Sequence, residues 1–266
     1  MIRLFKIEYL KLFYSKTFWV IITLYTGLTW PVALIIDKTS KSFTFGDGGE
    51  QNGSNLESMG FSVFNFPDIW MNLAYMLSFF KILLAVIIVI HVSNEYAFRT
   101  LRQNIIDGMS KIEIILAKEL VIIIMAIFST LMLLALALVF GKNPNNKSLF
   151  DGIEIVFSNF LSVLLYLNFA YFLTTILKKS GLVIGILLLY SFVIENLIAF
   201  KLPENIADFL PIHLINNMIP NPMSKLMGSE ISTDLSIANI AVSLVYISLF
   251  LGSIYLLLKR GNAGKQ

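Results

Sequence analysis

The chain has 266 residues, 57 % of them hydrophobic and 14 % charged, with a mean hydropathy of +0.78 and a formal net charge of +3. A soluble globular domain cannot hide that much apolar surface, so the composition places the chain among polytopic membrane proteins. The small, dispersed positive charge gives no argument for nucleic acid, and the absence of cysteine excludes disulfides, thiol nucleophiles and thiolate metal sites.

A helix needs roughly 20 apolar residues to cross the hydrocarbon core. Six stretches reach that length: 18–36, 69–92, 120–140, 157–177, 182–200 and 237–258. Ahead of them, "MIRLFKIEYLKLFYSK" is too rich in charge for the apolar heart of a signal peptide, and no small-residue cleavage site comes after it. On a helix Ile2, Phe5, Tyr9, Leu12 and Phe13 share a stripe, with Arg3, Glu8 and Lys11 off it. That fits a helix lying in the membrane interface. Leu4 and Ile7 fall outside the stripe, and a plain positively flanked anchor fits the same residues. Residues 37–68 contain the glycine-rich, polar "FGDGGEQNGSN", which reads as a flexible loop. Asn52 and Asn146 begin tripeptides of the glycosylation pattern.

After the second span comes "SNEYAFRTLRQNIIDGMSKIEIILAKEL", with eight charged residues in a chain otherwise sparing of them. Ser93 or Asn94 can cap a new helix, Glu95 and Arg99 form a favourable i,i+4 pair, and Phe98, Leu101 and Ile105 share one face. Gly108 supplies a stop. "SKIE" then forms a capping box between Ser110 and Glu113, and the next helix runs into the third span. The segment reads as a short amphipathic helix, a sharp turn and a fresh helix start. Helix connections are usually two to eight residues long. So long and ordered a connection suits a docking surface, against the plainer reading of a solvated link whose charges only obey topology. Further on, "KKSG" suits a tight hairpin between the fourth and fifth spans, and Gly181 and Gly185 on one face permit close helix packing. Residues 201–236 hold Pro203, Pro211, Pro220 and Pro222 around the apolar "NIADFLPIHLINNMI". A pair of short helices dipping into the outer leaflet fits that segment better than an aqueous loop.

Lysine and arginine fall thirteen on one set of connections and six on the other, with Lys81 left inside the second span. The richer side includes Arg3, Arg99, Arg102, Lys178, Lys179 and Arg260, so both ends of the chain are expected in the cytoplasm. Lys81, near the middle of the second span, and Glu195, in the outer half of the fifth, each cost about 2.5–3.5 kcal/mol at such depth on insertion scales. They either pair with each other along a substrate path, or Lys81 snorkels while Glu195 stays wet near the interface.

No phosphate-binding GxxxxGK[ST] occurs. His91 and His213 are too far apart for HExxH and are expected on opposite sides of the membrane. Neither histidine has a nucleophile and acid around it. The chain alone is therefore not expected to be an enzyme.

"NEYAFRTLRQNIIDGMSKIEIILAKEL" resembles the segment after the second span in ABC-2-type permeases, through Glu95, Thr100, Leu101, Arg102, Gly108, Ser110 and Lys118. "LLLYSFVIENLIAFKLPENIADFLP", with an acidic residue near the outer end and Leu-Pro beyond, is similar to that family's fifth-span region. The resemblance implies one all-α permease domain over 1–266, with an N-terminal interfacial helix, six spans and short outer-leaflet helices between the fifth and sixth. It implies that Glu95, Arg99, Thr100, Leu101, Arg102 and Asp107 belong to a cytoplasmic coupling helix seated in a groove of an ATP-binding subunit. Two permease chains, identical or sisters, would meet two ATPase chains in a bacterial cytoplasmic membrane. ATP and Mg would sit on the partner, with no cofactor on this chain. The second and fifth spans line the central path in that family, which favours Lys81 and Glu195 as path residues. The cargo would be amphipathic, such as a peptide antibiotic or a lipid-linked molecule. A secondary transporter should instead show internal repeats and broken spans at matching positions, and no convincing repeat is present. A non-transporting scaffold would not need Lys81 and Glu195.

Overall fold

The computed structural model describes residues 2–42, 44–45, 54–55, 64–143, 151–222 and 237–260. Helix α1 (Ile2–Phe13) leads after a two-residue break into α2 (Lys16–Ser42). Beyond a two-residue antiparallel ladder between Thr44–Phe45 and Ser54–Asn55 come α3 (Ile69–Ala97), α4 (Thr100–Ile106), α5 (Lys111–Phe140) and α6 (Glu154–Leu177). The fifth apolar stretch is composite: α7 (Ser180–Leu189), a π-turn at Tyr190–Ile194, then α8 (Glu195–Ala199). Two short helices, α9 (Glu204–Ala207) and α10 (Pro211–Asn217), precede α11 (Ile237–Arg260). Among the described residues six helices, with α7 to α8 counted as one, are long and apolar enough to cross a membrane. The protein is an all-α, multi-pass membrane protein. Asn52 and Asn146 lie outside the described residues.

Helix α6 occupies the centre, packed against α3, α5, α10 and α11. In its most apolar stretch 67 % of residues are buried, against 17 % for the stretches of α2 and of α7 to α8 and 22 % for α11. Small and polar side chains make the central position possible. Ser158, Asn159, Ser162, Asn168, Thr174 and Thr175 are all buried, and residues of this kind let neighbouring helices approach and bond across the gap. Asn168 Nδ2 donates to Glu119 Oε1 of α5 at 3.1 Å, and Ser162 Oγ donates to the Ile215 carbonyl of α10 at 3.3 Å. The peripheral helices turn apolar side chains such as Leu182, Phe192, Leu197 and Leu249 outward, as lipid contact or a second chain requires. At Gly181 and Gly185 no atom lies within 4 Å of where a Cβ would stand, so no described helix of this chain closes on that face.

Three features differ from the sequence expectation. First, α3 does not stop near residue 92 to be recapped at Ser93 or Asn94. It continues to Ala97, with the Phe98 N–H still bonding the Asn94 carbonyl at 2.9 Å. The break falls at Arg99, whose φ of 56° is left-handed, so Glu95 and Arg99 do not share a continuous helix. Second, the fifth span is interrupted by its π-turn, which adds a residue to the turn and rotates the helix beyond it. Third, α1 buries a charged side chain: Glu8, expected off the apolar stripe, is 5 % exposed, while Tyr9 and Phe13 of the stripe stay on the outside of the chain. At four other places expectation and structure agree. The Gly108 stop has φ 90°, the Ser110–Glu113 capping box is complete, the hairpin after α6 turns on left-handed Lys178, and short helices precede the last span.

Candidate functional site

The connection between the second and third spans is built from local chemistry. Left-handed Arg99 ends α3 and redirects the chain, α4 runs seven residues, Gly108 turns it, and Ser110 starts α5. Within α4, Thr100, Leu101 and Arg102 are half-buried, and Leu101 packs against the core. Arg99 and Asp107 are exposed. Phe98, expected on one face with Leu101 and Ile105, is 76 % exposed while those two are half-buried, and Ile106 at the other end is 75 % exposed. The turn therefore offers two apolar side chains flanking a short polar helix.

Glu95 is not part of that outward surface. It is 4 % exposed and belongs to a buried charge cluster joining α1, α3 and α5. Its Oε1 accepts from Lys11 at 2.9 Å and from Lys118 at 2.7 Å. Glu8 Oε1 accepts from Lys11 at 3.1 Å, while Glu8 Oε2 bonds Lys118 and stands 2.8 Å from His91 Nε2. Two carboxylates thus face two ammonium groups and an imidazole. Lys118 sits between both acids and is 2 % exposed. Glu8 and Lys11, three apart, share a face of α1 and close the cluster from below, so α1 is fastened to the roots of the second and third spans. Close by, Lys178 Nζ lies 5.7 Å from the centre of the Tyr96 ring, bringing the α6–α7 turn to the same end.

Two groups of α1 titrate away from their ordinary values. Burial pushes the Glu8 carboxyl up, but the His91 hydrogen bond and the Lys118 charge outweigh it and hold Glu8 well below the usual carboxylate range. Burial pulls the Lys11 ammonium down, but the charges of Glu95 and Glu8 prevail and raise it above its ordinary 10.5. A depressed acid stabilises the fold fully above its ordinary value, near 4.5 here, and loses that contribution as pH falls through the folded-state value. A raised base stabilises fully below its ordinary value and loses that contribution as pH rises through the folded-state value. An imidazole such as that of His91 titrates near pH 6.5 once the chain unfolds, so the window belonging to Glu8 and Lys11 is read above about pH 7. Proteolytic protection of α1 should therefore be constant between about pH 7 and about pH 10 and fall beyond the upper limit. Release of α1 between about pH 7 and about pH 9 would contradict this reading of the cluster.

Lys81 and Glu195 are not partners. Lys81 is 7 % exposed, and its Nζ has no hydrogen-bond partner among the described residues; it lies over the Tyr166 ring, 5.4 Å from the centre. Glu195 Oε1 accepts the His213 backbone N–H at 2.6 Å, with the Ile212 N–H and the Tyr190 hydroxyl beside the carboxylate. Pro211 at the first turn of α10 has no N–H of its own, so Glu195 takes the first amides that helix leaves open. The π-turn just before Glu195 rotates it toward α10. The carboxylate thus ties α10 to the fifth span.

A family model described as "Protein of unknown function (DUF2705)" matches residues 18–262. The chain belongs to that family. No curated protein matches the sequence. The DUF2705 match takes in Lys81, His91, Glu95, Lys118 and Glu195, whereas Glu8 and Lys11 on α1 precede it. Sequence reasoning points to Glu95 but gives no role to Glu8, Lys11 or His91, and reads Lys118 only as the opening of the third span. The signal for the cluster is a balance of charge, with acids and bases gathered at the ends of α1, α3 and α5.

Proposed function

We propose that the chain is the transmembrane permease subunit of an ATP-driven exporter of the ABC-2 type. The observation that carries this reading is the α3–α4–α5 turn. It is an ordered helical hook with Phe98 and Ile106 turned outward, braced from behind by the buried Glu8–Lys11–His91–Glu95–Lys118 cluster. A push on a loose loop would dissipate in the loop. A push on α4 is passed directly to the roots of the second and third spans, because α4 is joined to α3 and α5 by single turns and those helices are cross-linked by charge. The hook is the coupling helix of this account, with Arg99, Thr100, Leu101, Arg102 and Asp107 on or beside its surface and Glu95 as its internal brace.

The energy arrives from a separate ATP-binding subunit, which holds ATP and Mg, two copies meeting two permease chains. By the excess of Lys and Arg at the α1, α4 and Lys178–Lys179 end, that end faces the cytoplasm of a bacterial cell. The cargo is amphipathic. A secondary transporter is supported less well: the fifth span is broken by its π-turn, but α3 in the first half runs unbroken from Ile69 to Ala97. Proteoliposomes holding only this chain should move no solute under imposed proton or sodium gradients. Gradient-driven uptake would overturn the exporter reading.

A further inference from the structure

A cavity of about 500 Å³ lies between α3, α6, the π-turn and α10. That volume falls within the range of small-molecule sites. Lys81 lines it. The lysine is more than nine-tenths buried, is unpaired among the described residues, and has only the Tyr166 ring face near its charge. The acid that the sequence offers as its partner, Glu195, is committed to the amides of α10. Buried charges are paired or meet water or a ligand, and here the pairing group is missing from the described residues of the chain. The remaining polar lining consists of hydroxyls and amides, among them Ser78, the Tyr166 and Ser191 hydroxyls 3.4 Å apart, and Asn216. These groups can donate to oxygens of an anion but cannot neutralise an ammonium. Most of the lining is apolar, and the rim includes Phe79 and Phe192, which are 58 % and 63 % exposed on the outside of the helix bundle.

We infer that this cavity binds an amphiphile whose anionic head, a phosphate or carboxylate, pairs with Lys81 while its apolar chain leaves past Phe79 and Phe192 into the bilayer. The site stands on the cavity and the unpaired lysine alone, and it holds whether or not an ATPase docks at the other end. A free anion shares the head-group chemistry but leaves the apolar exit unused.

The test is native mass spectrometry of the delipidated full chain, offered equimolar phosphatidylglycerol and phosphatidylcholine, and separately phosphatidylglycerol against inorganic phosphate. One phosphatidylglycerol should be retained with a preference of about tenfold or more, since a charge-assisted contact is worth at least that factor. Lys81→Met should abolish the preference and Lys81→Arg should keep it. The methionine variant replaces an unpaired buried ammonium by an apolar chain of similar length, so its melting temperature without added lipid should equal or exceed that of the parent. Should Lys81→Met fail to fold, Ser191→Leu, which fills the cavity and leaves Lys81 in place, should weaken retention by a similar factor. A preference that survives Lys81→Met, equal retention of both lipids by the parent, full retention by Ser191→Leu, or displacement of the lipid by millimolar phosphate would each overturn the proposal.

Discussion

Lys118→Met is expected to lower the stability of the folded chain by about 3–5 kcal/mol, the usual cost of removing one partner from a buried ion pair. Lys118 is the only cation among the described residues that touches both Glu8 and Glu95 while being fully enclosed; Lys11, which also bonds both, is partly open to solvent. Without it two buried carboxylates share Lys11 and His91, and the bond from α5 to α1 and α3 is gone. Thermal unfolding in lipid nanodiscs should show a large drop in melting temperature, and hydrogen exchange should place the first loss of protection in α1. A second change, Glu8→Gln in the same chain, removes one of the stranded acids. The double variant should therefore be less damaged than the sum of its single changes. Melting at the parental temperature after Lys118→Met would mean that the cluster is solvated and holds nothing.

Phe98→Ala and Ile106→Ala should leave the fold intact and impair docking. Both side chains are about three-quarters exposed, so neither contributes much to the core. Apolar anchors entering a partner's pocket commonly supply about 2 kcal/mol or more each, so each truncation should weaken association with an ATP-binding subunit about thirtyfold. Transport-coupled ATP hydrolysis should fall with it. The affinity of the purified complex and its melting temperature separate the two effects: docking weakens while unfolding does not move. Unchanged affinity in both variants would show that these side chains rest in the lipid interface. Glu95→Ala, by contrast, should act through stability, because Glu95 lies behind the docking surface in the same cluster as Lys118.

The range of the forces involved decides how much of the fold and the site is legible in the sequence. Span number, the Gly108 stop, the Ser110–Glu113 capping box and the short helices before the last span are legible, because each depends on a run of apolar residues or on a cap within one turn. The end of α3 is not. Ser93 and Asn94 are capable caps, but an apolar helix already in progress keeps its hydrogen bonds until the backbone is forced to turn, and that happens at Arg99. The charge cluster is not legible as a cluster, since Glu8 meets His91 and Lys118 across 83 and 110 residues of chain. The stripe on α1 points Glu8 outward. Burial of a carboxylate becomes favourable only because α3 and α5 bring an imidazole and an ammonium to the same depth. Lys81 and Glu195 stand out as costly intramembrane charges, but opposite charge alone does not decide pairing. The π-turn and the open amides of α10 claim Glu195, leaving Lys81 to face a cavity.

The central claim is that α4 is where a separate motor takes hold. The chain lacks cysteine, so a single Gln103→Cys on the exposed side of α4 carries the only thiol of the protein. With a short thiol-to-amine cross-linker in native membranes, this account predicts one dominant adduct to an ATP-binding subunit, with a yield that changes when nucleotide and Mg are added. Full labelling of the same thiol by a water-soluble maleimide, with no ATP-binding protein among the cross-linked products, would contradict it.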